Sequence, residues 1–500
     1  MSDDRISYRR LGRDTLIYGI GVVLSRAVSF FMLPVYTRYL TPADYGILQL
    51  LDMTIDISYI VFTAGMSAGM SLFYFQATQE SERRDIVRTS FALEMTFTVI
   101  GSLALLVLSP WVWKYGLRSA GAVLFVRITA INFLLQMLSA VPLTLLQLRQ
   151  QSKVIITINF VRLILQLSLN ILFVVVLKQG VKGILITGLI VNSLHGFSLA
   201  GWMLRNYPGR IRMDIIRKLR RFGWPYQISN AGSFLLSFGD RFFLQASRGA
   251  SAVGLYGLAY QFGFLLHQLS TEQILKAWNP QRLQMLARPA AERDARYDRG
   301  FHYFNLVLIT MATGIGVFVQ PVIRIMTTEQ FHSAARLVPI ILAAYVVQSW
   351  GLVTQFGIRV SEKTKYFTYS TWVAVAVVLA LYATLIPRYG GYGAAIATLV
   401  AFIVRFALQH YWSQKLWPVR YTWGRNLTLT TYGIAAVAAA FLIPLQATAS
   451  QLALGLGLIS VYGILAWSTI LFPDDRQLFT TVLRSPLKAL SAARQRRLSW

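Results

Sequence analysis

Arginines recur at positions where a bilayer-spanning helix would lie deepest in the membrane. Arg26, Arg162 and Arg405 fall near the middle of apolar segments, and Arg127 and Arg241 fall within two others. A central arginine in a spanning helix costs on the order of 2.5–3.5 kcal/mol on insertion scales, so it must face protein or water. A guanidinium group offers a planar fork of donors that fits phosphate oxygens. These positions therefore predict a site for an anionic substrate.

Uncharged polar side chains accompany the arginines along single helix faces. Asn159, Arg162 and Gln166 are spaced three and four residues apart, which places them on one side of a helix. Polar side chains that face lipid are costly, so such faces predict a water-filled cavity shared by both halves of the chain. The alternative is a set of interhelical hydrogen bonds and ion pairs, such as Arg26 with Asp56, that only holds the bundle together. The six faces comprise Gln49, Asp52, Asp56, Tyr59 and Thr63; Asn159, Arg162, Gln166 and Asn170; Asn230, Ser233, Ser237 and Asp240; Gln261, Gln268 and Glu272; Tyr345, Gln348, Gln355 and Arg359; and Thr398, Arg405 and Gln409.

Three carboxyl groups are candidates for ion coupling. Asp52 and Asp56 lie one turn apart within the second apolar segment, and Glu272 ends a polar face in the eighth. Carboxyl groups inside a membrane often mark proton or ion pathways. The sequence contains no cysteine and no HExxH or GxxxxGK[ST] pattern, so we expect no metal site, no cofactor and no nucleotide-binding loop.

The composition indicates which elements must position these groups. Of the 500 residues, 55% are hydrophobic and only 14% are charged, whereas soluble domains carry about 25% charged residues. Apolar segments long enough to cross a bilayer recur along the chain. The sequence therefore predicts an all-α polytopic membrane protein with about 14 transmembrane helices.

The longest basic linker predicts how the chain is divided. Within residues 205–221, Ile211, Ile215 and Leu219 have helical spacing and arginines lie between them. This pattern is typical of an amphipathic helix on the cytoplasmic membrane surface. The predicted parts are an N-terminal lobe of helices 1–6 (1–204), this linker, a C-terminal lobe of helices 7–12 (222–413), two peripheral helices (414–475) and a basic cytoplasmic tail (476–500).

The distribution of basic residues predicts the orientation in the membrane. If the predicted spans alternate, most of the 48 Lys and Arg residues lie on the same side as the N-terminus. Cytoplasmic loops carry such an excess, so both termini are expected in the cytoplasm. The net charge of +28 is then a consequence of topology, and nucleic acid is not expected as a partner.

Two stretches resemble a known family. The run SRAVSFFMLPVYTRYLTPADYG, which contains Arg26 and ends at Gly46, and the tetrapeptide Gly239-Asp240-Arg241-Phe242 are similar to O-antigen and exopolysaccharide flippases. These form the polysaccharide-transporter branch of the superfamily that also contains multidrug/toxin extruders and the lipid II flippase. The resemblance implies two six-helix lobes, alternating access and a polyprenyl-diphosphate-linked oligosaccharide as substrate. It also implies the bacterial inner membrane, with membrane lipids and assembly proteins such as a polysaccharide polymerase as partners.

The residues and the resemblance together predict a flippase rather than an enzyme. The predicted substrate-binding residues are Arg26, Arg162, Arg405, Arg127, Arg241, Asn159 and Gln166, and the predicted coupling residues are Asp56, Glu272 and Asp52. Three alternatives remain open. A lipid II flippase would share the mechanism, and a multidrug or cation antiporter of the same superfamily would need an acidic cavity, which the arginines disfavour. A membrane glycosyltransferase would need an acidic residue or metal motif on an outward loop, where Asp and Glu are scarce.

Overall fold

The structure, a computed structural model, describes residues 32–63, 65–117, 122–472 and 476, so the predicted site residue Arg26 lies outside the described residues. The described residues form helices and contain no β-strand. The helices of the first half are α1 (Leu33–Tyr39), α2 (Pro42–Phe62), α3 (Met66–Gln76), α4 (Glu80–Trp111), α5 (Ala122–Met137), α6 (Ala140–Leu148), α7 (Ser152–Asn170) and α8 (Gly180–Asn206). The helices of the second half are α9 (Met213–Phe238), α10 (Asp240–Arg248), α11 (Ala250–Leu266), α12 (Gln273–Gln284), α13 (Ala290–Met326), α14 (Val338–Thr354), α15 (Phe356–Val360), α16 (Lys365–Tyr389), α17 (Gly391–Leu416), α18 (Trp423–Leu442) and α19 (Thr448–Leu465).

Several helices continue through short turns of different pitch. The π-helical turns are Val112–Leu117, His267–Glu272, Ile171–Val176 and Ala466–Ile470, and the 3₁₀ turns are Met285–Ala287 and Glu329–Leu337. The turn His267–Glu272 joins α11 to α12, so these two helices form one long element.

Ten helical stretches of the described chain are long and apolar enough to cross a membrane. The predicted class, an all-α multi-pass membrane protein, is therefore confirmed. The number of fourteen spans and the boundaries between the lobes stay predictions.

The helix that carries Asp52 and Asp56 has a sharply defined start. The Thr41 hydroxyl accepts a hydrogen bond from the Asp44 N–H (3.2 Å), and the Asp44 carboxylate accepts one from the Thr41 N–H (3.0 Å). Pro42 occupies the first helical position, where its missing N–H has no cost. Because this capping box fixes where α2 begins, the two aspartates follow about three and four turns later on one face.

The two halves of the molecule meet where α2 crosses α11. A Cβ atom at Gly46 would overlap the carbonyl oxygen of Ala250, and one at Gly254 would overlap the carbonyl oxygen of Pro42. The two backbones are thus in direct contact, which small residues at a helix crossing permit.

Hydrogen bonds join the halves at the same end of the bundle. The Thr37 hydroxyl donates to the Met326 carbonyl (3.2 Å), and the Thr328 hydroxyl donates to the Thr37 carbonyl (3.1 Å). The rings of Tyr45 and Phe331 also pack edge to face there. This end of the bundle contains the loops 39–42, 248–250 and 326–329.

The opposite end contains the loops 206–213, 284–290 and 360–365, and we call it the basic end. The halves touch here too, since a Cβ atom at Gly65 would lie 2.6 Å from the Gly223 carbonyl oxygen. The Gln227 side chain also donates a hydrogen bond to the Val61 carbonyl (3.4 Å). Space between the halves is therefore bounded at both ends by packed helices.

The predicted basic linker contains the beginning of a long helix. The helix α9 begins at Met213, and Ile215 and Leu219 are buried against α3 and α4. On its exposed side, the Arg212 guanidinium hydrogen-bonds to Asp214 (2.9 Å) and lowers the pKa of that carboxyl. Ile211 precedes this helix and is exposed, so only the part of the predicted apolar face that contains Ile215 and Leu219 is helical, and that part contacts protein.

The last two helices pack on the outside of the second half. Both α18 and α19 contact α13, and the Tyr462 hydroxyl on α19 lies 3.1 Å from the Thr310 hydroxyl on α13. These two helices contribute none of the described residues that line the space between the halves.

Candidate functional site

A cavity of about 650 Å³ lies between the two halves. Its first wall comes from α1, α2, α5, α7 and α8, and its second wall comes from α9, α11 and the turn after α11. Three of the six predicted polar faces, those on α2, α7 and α11, contribute lining residues. The polar lining residues are Tyr36, Tyr45, Gln49, Asp52, Asp56, Thr129, Asn132, Gln136, Arg162, Gln166, Asn192, Gln261 and Gln268.

One arginine is held at this cavity by uncharged partners. The Arg162 guanidinium donates to the Asn192 side-chain oxygen (3.1 Å), and the Asn192 amide donates to the Asn132 side-chain oxygen (3.1 Å). The Asn132 amide in turn donates to the Leu185 carbonyl (3.1 Å). A Cβ atom at Gly188 would lie 2.9 Å from the Asn132 oxygen, so glycine allows α5 to approach α8 here. This chain orients the guanidinium without neutralising its charge.

Two carboxylates face the same cavity. Asp52 and Asp56 line it from α2 and are exposed there, although both lie within the helical bundle. No lysine or arginine of the described chain lies within ion-pairing distance of either carboxylate. The alternative, in which Asp56 pairs with Arg26, involves a residue that lies outside the described part of the chain. Among the described lining residues, the cavity thus holds one arginine and two aspartates.

The second wall contributes aromatic rings and amides. The rings of Phe238 and Phe264 stack with their centres 5.9 Å apart, and Gln261 and Gln268 lie beside them. Stacked rings and side-chain amides suit a ligand that has both flat apolar faces and many hydroxyl groups.

Arg241 lies behind this wall and does not line the cavity. It is fully buried, pairs with Asp240 (3.0 Å) and lies over the ring of Tyr260, 4.1 Å from the ring centre. Asp240 also accepts a hydrogen bond from the Tyr256 hydroxyl (2.5 Å). The charge of Arg241 is therefore compensated within the protein.

Arg405 lies in the second half, apart from the cavity. With Gln348 and Gln409 it borders a void of about 10 Å³ between α14 and α17. A void of this size holds about one water molecule. The Arg405 Nε and the Gln409 amide nitrogen are buried there and have no hydrogen-bond partner among the described residues.

The remaining predicted residues are not among the described residues that line the cavity. Arg127 lies near the Ser109 hydroxyl (3.4 Å), and Asn159 is exposed on α7. Glu272 forms an ion pair with Lys276 (2.6 Å), and both side chains are partly exposed. Of the predicted site residues, the cavity thus brings together Arg162, Gln166, Asp52 and Asp56.

The cavity-lining amides on α5 and α8 were not among the predicted site residues. On α5, intervals of three and then four residues separate Thr129, Asn132 and Gln136. On α8, intervals of four and then three residues separate Gly188, Asn192 and His195. The first of these patterns has the same signal as the predicted faces and could have been included. The contact between Asn132 and Asn192 depends on how the helices pack, so it cannot be predicted from residue spacing.

Comparison with known proteins agrees with this architecture. The sequence model of a family described as "Polysaccharide biosynthesis protein" matches residues 35–336. No curated protein sequence matches the chain.

Solved structures share the fold at low sequence identity. A structure of the lipid II flippase MurJ in an inward closed conformation is 14% identical, with a TM-score of 0.70, and the match covers 90% of this chain and 99% of that one. An inward-facing multidrug resistance MATE family transporter of the MOP superfamily is 15% identical, with a TM-score of 0.61, over 78% of this chain and 94% of that one. A mutant of the Vibrio cholerae MATE transporter VcmN is 15% identical, with a TM-score of 0.57, over 81% of this chain and 96% of that one.

Proposed function

This chain belongs to the polysaccharide biosynthesis protein family, and we propose that it is a flippase for lipid-linked oligosaccharides. The cargo would be an oligosaccharide repeat unit on a polyprenyl diphosphate. The two halves would alternately open the cavity to either side of the bacterial inner membrane, with both termini in the cytoplasm. A polysaccharide polymerase and other assembly proteins would act on the translocated product.

The observation that carries the proposal is the partnership of Arg162 in the cavity. Its hydrogen-bond partner is the neutral Asn192, so its positive charge is available to a ligand that enters. A phosphate oxygen that accepts from a guanidinium forms one of the stronger hydrogen bonds in proteins. We assign the diphosphate to this group, and we keep Arg26 and Arg405 as further candidates for contacts in other conformations.

The glycan would occupy the rest of the cavity. Sugar hydroxyl groups would bond to the amides of Gln136, Gln166, Gln261 and Gln268, and a sugar face would lie on Phe264. The polyprenyl tail would remain in the bilayer, since burying an apolar chain in a polar cavity has no benefit.

Two sources of energy are compatible with this arrangement. Movement of one charge through 100 mV is worth about 2.3 kcal/mol, so a divalent anion that leaves a negative cytoplasm gains about twice that. Protons or cations that bind Asp52 and Asp56 would couple a second gradient to the same cycle. Glu272 remains a candidate for the coupling role from the sequence.

One observation favours an alternative. Asp52 and Asp56 have no described cationic partner, and a cavity with exposed carboxylates also suits a cationic drug. A multidrug antiporter is therefore the second candidate function. A lipid II flippase is a special case of the first, because its substrate is also a lipid-linked glycan.

Transport by reconstituted protein distinguishes the candidates. Proteoliposomes would be loaded with a fluorescent polyprenyl-diphosphate oligosaccharide or with a cationic dye, and the fraction that crosses the bilayer would be measured. We expect movement of the oligosaccharide lipid and not of the dye, and loss of that movement in Arg162→Glu. The matched control is Arg359→Glu, which changes an exposed arginine outside the cavity. Transport of the dye alone would refute the flippase proposal in favour of the antiporter.

A further inference from the structure

A fully buried carboxyl group lies in the first half of the molecule, apart from the central cavity. Glu94 on α4 is 1% exposed, and neither of its side-chain oxygens has a hydrogen-bond partner among the described residues. The hydroxyl of Ser90, one turn earlier on the same helix, is also buried without a partner in the described chain. Neither residue is among the described residues that line the cavity. The helix therefore holds a small polar patch that the proposed cargo site does not use.

Glu94 has no compensating charge beside it. It lies within a stretch that is long and apolar enough to cross a membrane, Glu80–Lys114. No ion pair of the described structure includes it. A buried carboxylate without a partner costs several kcal/mol, whereas a neutral carboxylic acid costs less. The described surroundings therefore suit the neutral acid and not the carboxylate.

One titratable side chain from a neighbouring helix interacts with Glu94. The helix α4 packs mainly against α2, α3, α5, α6 and α9. Tyr59 on α2 is close enough to Glu94 for the two side chains to interact electrostatically. Tyr59 follows Asp52 and Asp56 at helical spacing, so it belongs to the polar face of α2 that also supplies the two aspartates of the cavity.

The other ionisable groups around α4 are engaged elsewhere or exposed. On α5, Arg127 lies near the Ser109 hydroxyl (3.4 Å), about four turns along α4 from Glu94. On α4 itself, the nearest charged residue in the sequence is Arg88, nearly two turns earlier. The rest are Tyr74 on α3, which lies beneath the Arg83 guanidinium; Arg210 and Arg212 in the loop before α9; and Asp214, Arg217, Lys218, Arg220 and Arg221 on α9, of which Arg220 lies over the Phe97 ring. Within the described structure, none of these groups forms a hydrogen bond to the Glu94 carboxyl group.

The second half of the molecule covers this region of α4 through α9. Ile215 and Leu219 on α9 share one apolar cluster with Leu93, the residue that precedes Glu94. The cluster lies toward the basic end, where the two halves are in contact. Opening of the basic end separates the halves, so it moves α9 away from α4 and admits water to this part of the helix.

We propose that Glu94 is a proton-binding site whose occupancy is coupled to the opening of the basic end. In the described conformation the carboxyl group holds a proton. When α9 moves away from α4, the O–H bond of the acid breaks, the proton passes to water at the basic end, and a hydrated carboxylate remains. Protonation therefore favours the closed arrangement of the basic end, and deprotonation favours the open one. The inference rests on the alternate opening of the halves in the proposed function, but not on the identity of the cargo.

The bound proton is tested by infrared difference spectroscopy of the purified protein at neutral pH. The C=O stretch of a carboxylic acid is separate from the stretches of a carboxylate, so the difference between the wild type and Glu94→Gln isolates this group. We expect a carboxylic acid band that is lost in Glu94→Gln. The matched control is Glu80→Gln on the same helix, because Glu80 is exposed and pairs with Arg149 (2.8 Å). That variant should keep the band.

The coupling is tested by measuring the distance between the halves at the basic end. Because the chain contains no cysteine, spin labels can be attached to Gln79→Cys in the first half and Thr364→Cys in the second, both of which are exposed there. We expect the ratio of open to closed molecules to rise with pH, by at most about tenfold per pH unit for one proton. Glu94→Gln, which mimics the protonated acid, should remove this dependence, and Glu80→Gln should keep it.

Two results would overturn the proposal. A spectrum without a carboxylic acid band that depends on Glu94 would show that the group is ionised in this conformation. A distance that does not respond to pH in the wild type, or that responds equally in Glu94→Gln, would show that Glu94 is not coupled to the opening. Thermal unfolding in detergent checks the fold of each variant, and Glu94→Met, which is apolar and of similar size, serves if the amide variant does not fold. Both measurements are made without cargo, so a failure of oligosaccharide transport is distinguishable from a failure of this proposal.

Discussion

Arg162 and Arg241 both lie within the membrane-spanning bundle, but their surroundings are opposite. Arg241 pairs with the adjacent Asp240 in a fully buried aromatic cluster, and its charge is cancelled where it lies. Arg162 is held by the neutral Asn192 at the wall of a cavity, and its charge remains available. An arginine in a membrane sequence is therefore informative about a ligand only once its partner is known.

The largest expected effect is a loss of stability when the buried pair of Asp240 and Arg241 is broken. Arg241→Ala would leave the Asp240 carboxylate buried without its cation, and breaking such a pair costs about 3–5 kcal/mol. Thermal unfolding of the purified protein in detergent would show a large decrease in Tm. The double variant Asp240→Asn/Arg241→Met, which removes both charges, should recover most of the loss. A wild-type Tm for Arg241→Ala would show that the pair is not needed for the fold.

A smaller effect, on transport rather than on stability, is expected at Arg162. Hydrogen bonds to charged groups contribute about 1.5–3 kcal/mol, so Arg162→Ala should slow transport of the oligosaccharide lipid roughly tenfold to a hundredfold. The transport rate of Arg162→Lys should lie between those of the wild type and Arg162→Ala, because lysine keeps the charge and loses the planar fork. The Tm of both variants should stay close to that of the wild type. A large decrease in Tm with normal transport per folded molecule would assign Arg162 to structure, like Arg241.

The smallest effect is expected at the amide that orients Arg162. Asn192→Ala removes the side chain that accepts a hydrogen bond from Arg162 and donates one to Asn132, but it leaves the guanidinium in place, so transport should slow only about twofold to tenfold. Because the guanidinium remains, raising the substrate concentration should recover part of the rate. The control is Asn426→Ala, which removes a buried amide bonded to His302 far from the cavity lining. Equal effects of the two variants on transport would show that Asn192 has no orienting role.

Much of the fold could be predicted from the sequence because the bilayer imposes strong constraints. Long apolar segments must be helices, and the polar faces that contain Asp52 and Arg162 identify sides that turn away from lipid. The resemblance placed the chain in a family that the comparison with known proteins then confirmed.

The partners of the arginines could not be predicted in the same way. Neighbouring residues in a helix point in different directions, so Asp240 and Arg241 would not be expected to pair. They nevertheless form an ion pair (3.0 Å) at the beginning of α10, which hydrophobic periodicity did not indicate. Asn132 and Asn192 are 60 residues apart in the sequence, and their contact depends on how α5 and α8 pack. Spacing identifies a polar face, but only packing decides whether it meets a carboxylate, an amide or open space.

The central claim is that the cavity beside Arg162 is wet and receives an anionic glycolipid. Because the chain contains no cysteine, single cysteines can be introduced at Gln166 in the cavity and at the fully buried Ser270 and labelled with a membrane-impermeant maleimide. We predict that Gln166→Cys reacts, that Ser270→Cys does not, and that a polyprenyl-diphosphate oligosaccharide slows the reaction at position 166 while a cationic dye does not. Equal lack of reaction at both positions, or protection by the dye alone, would contradict the account.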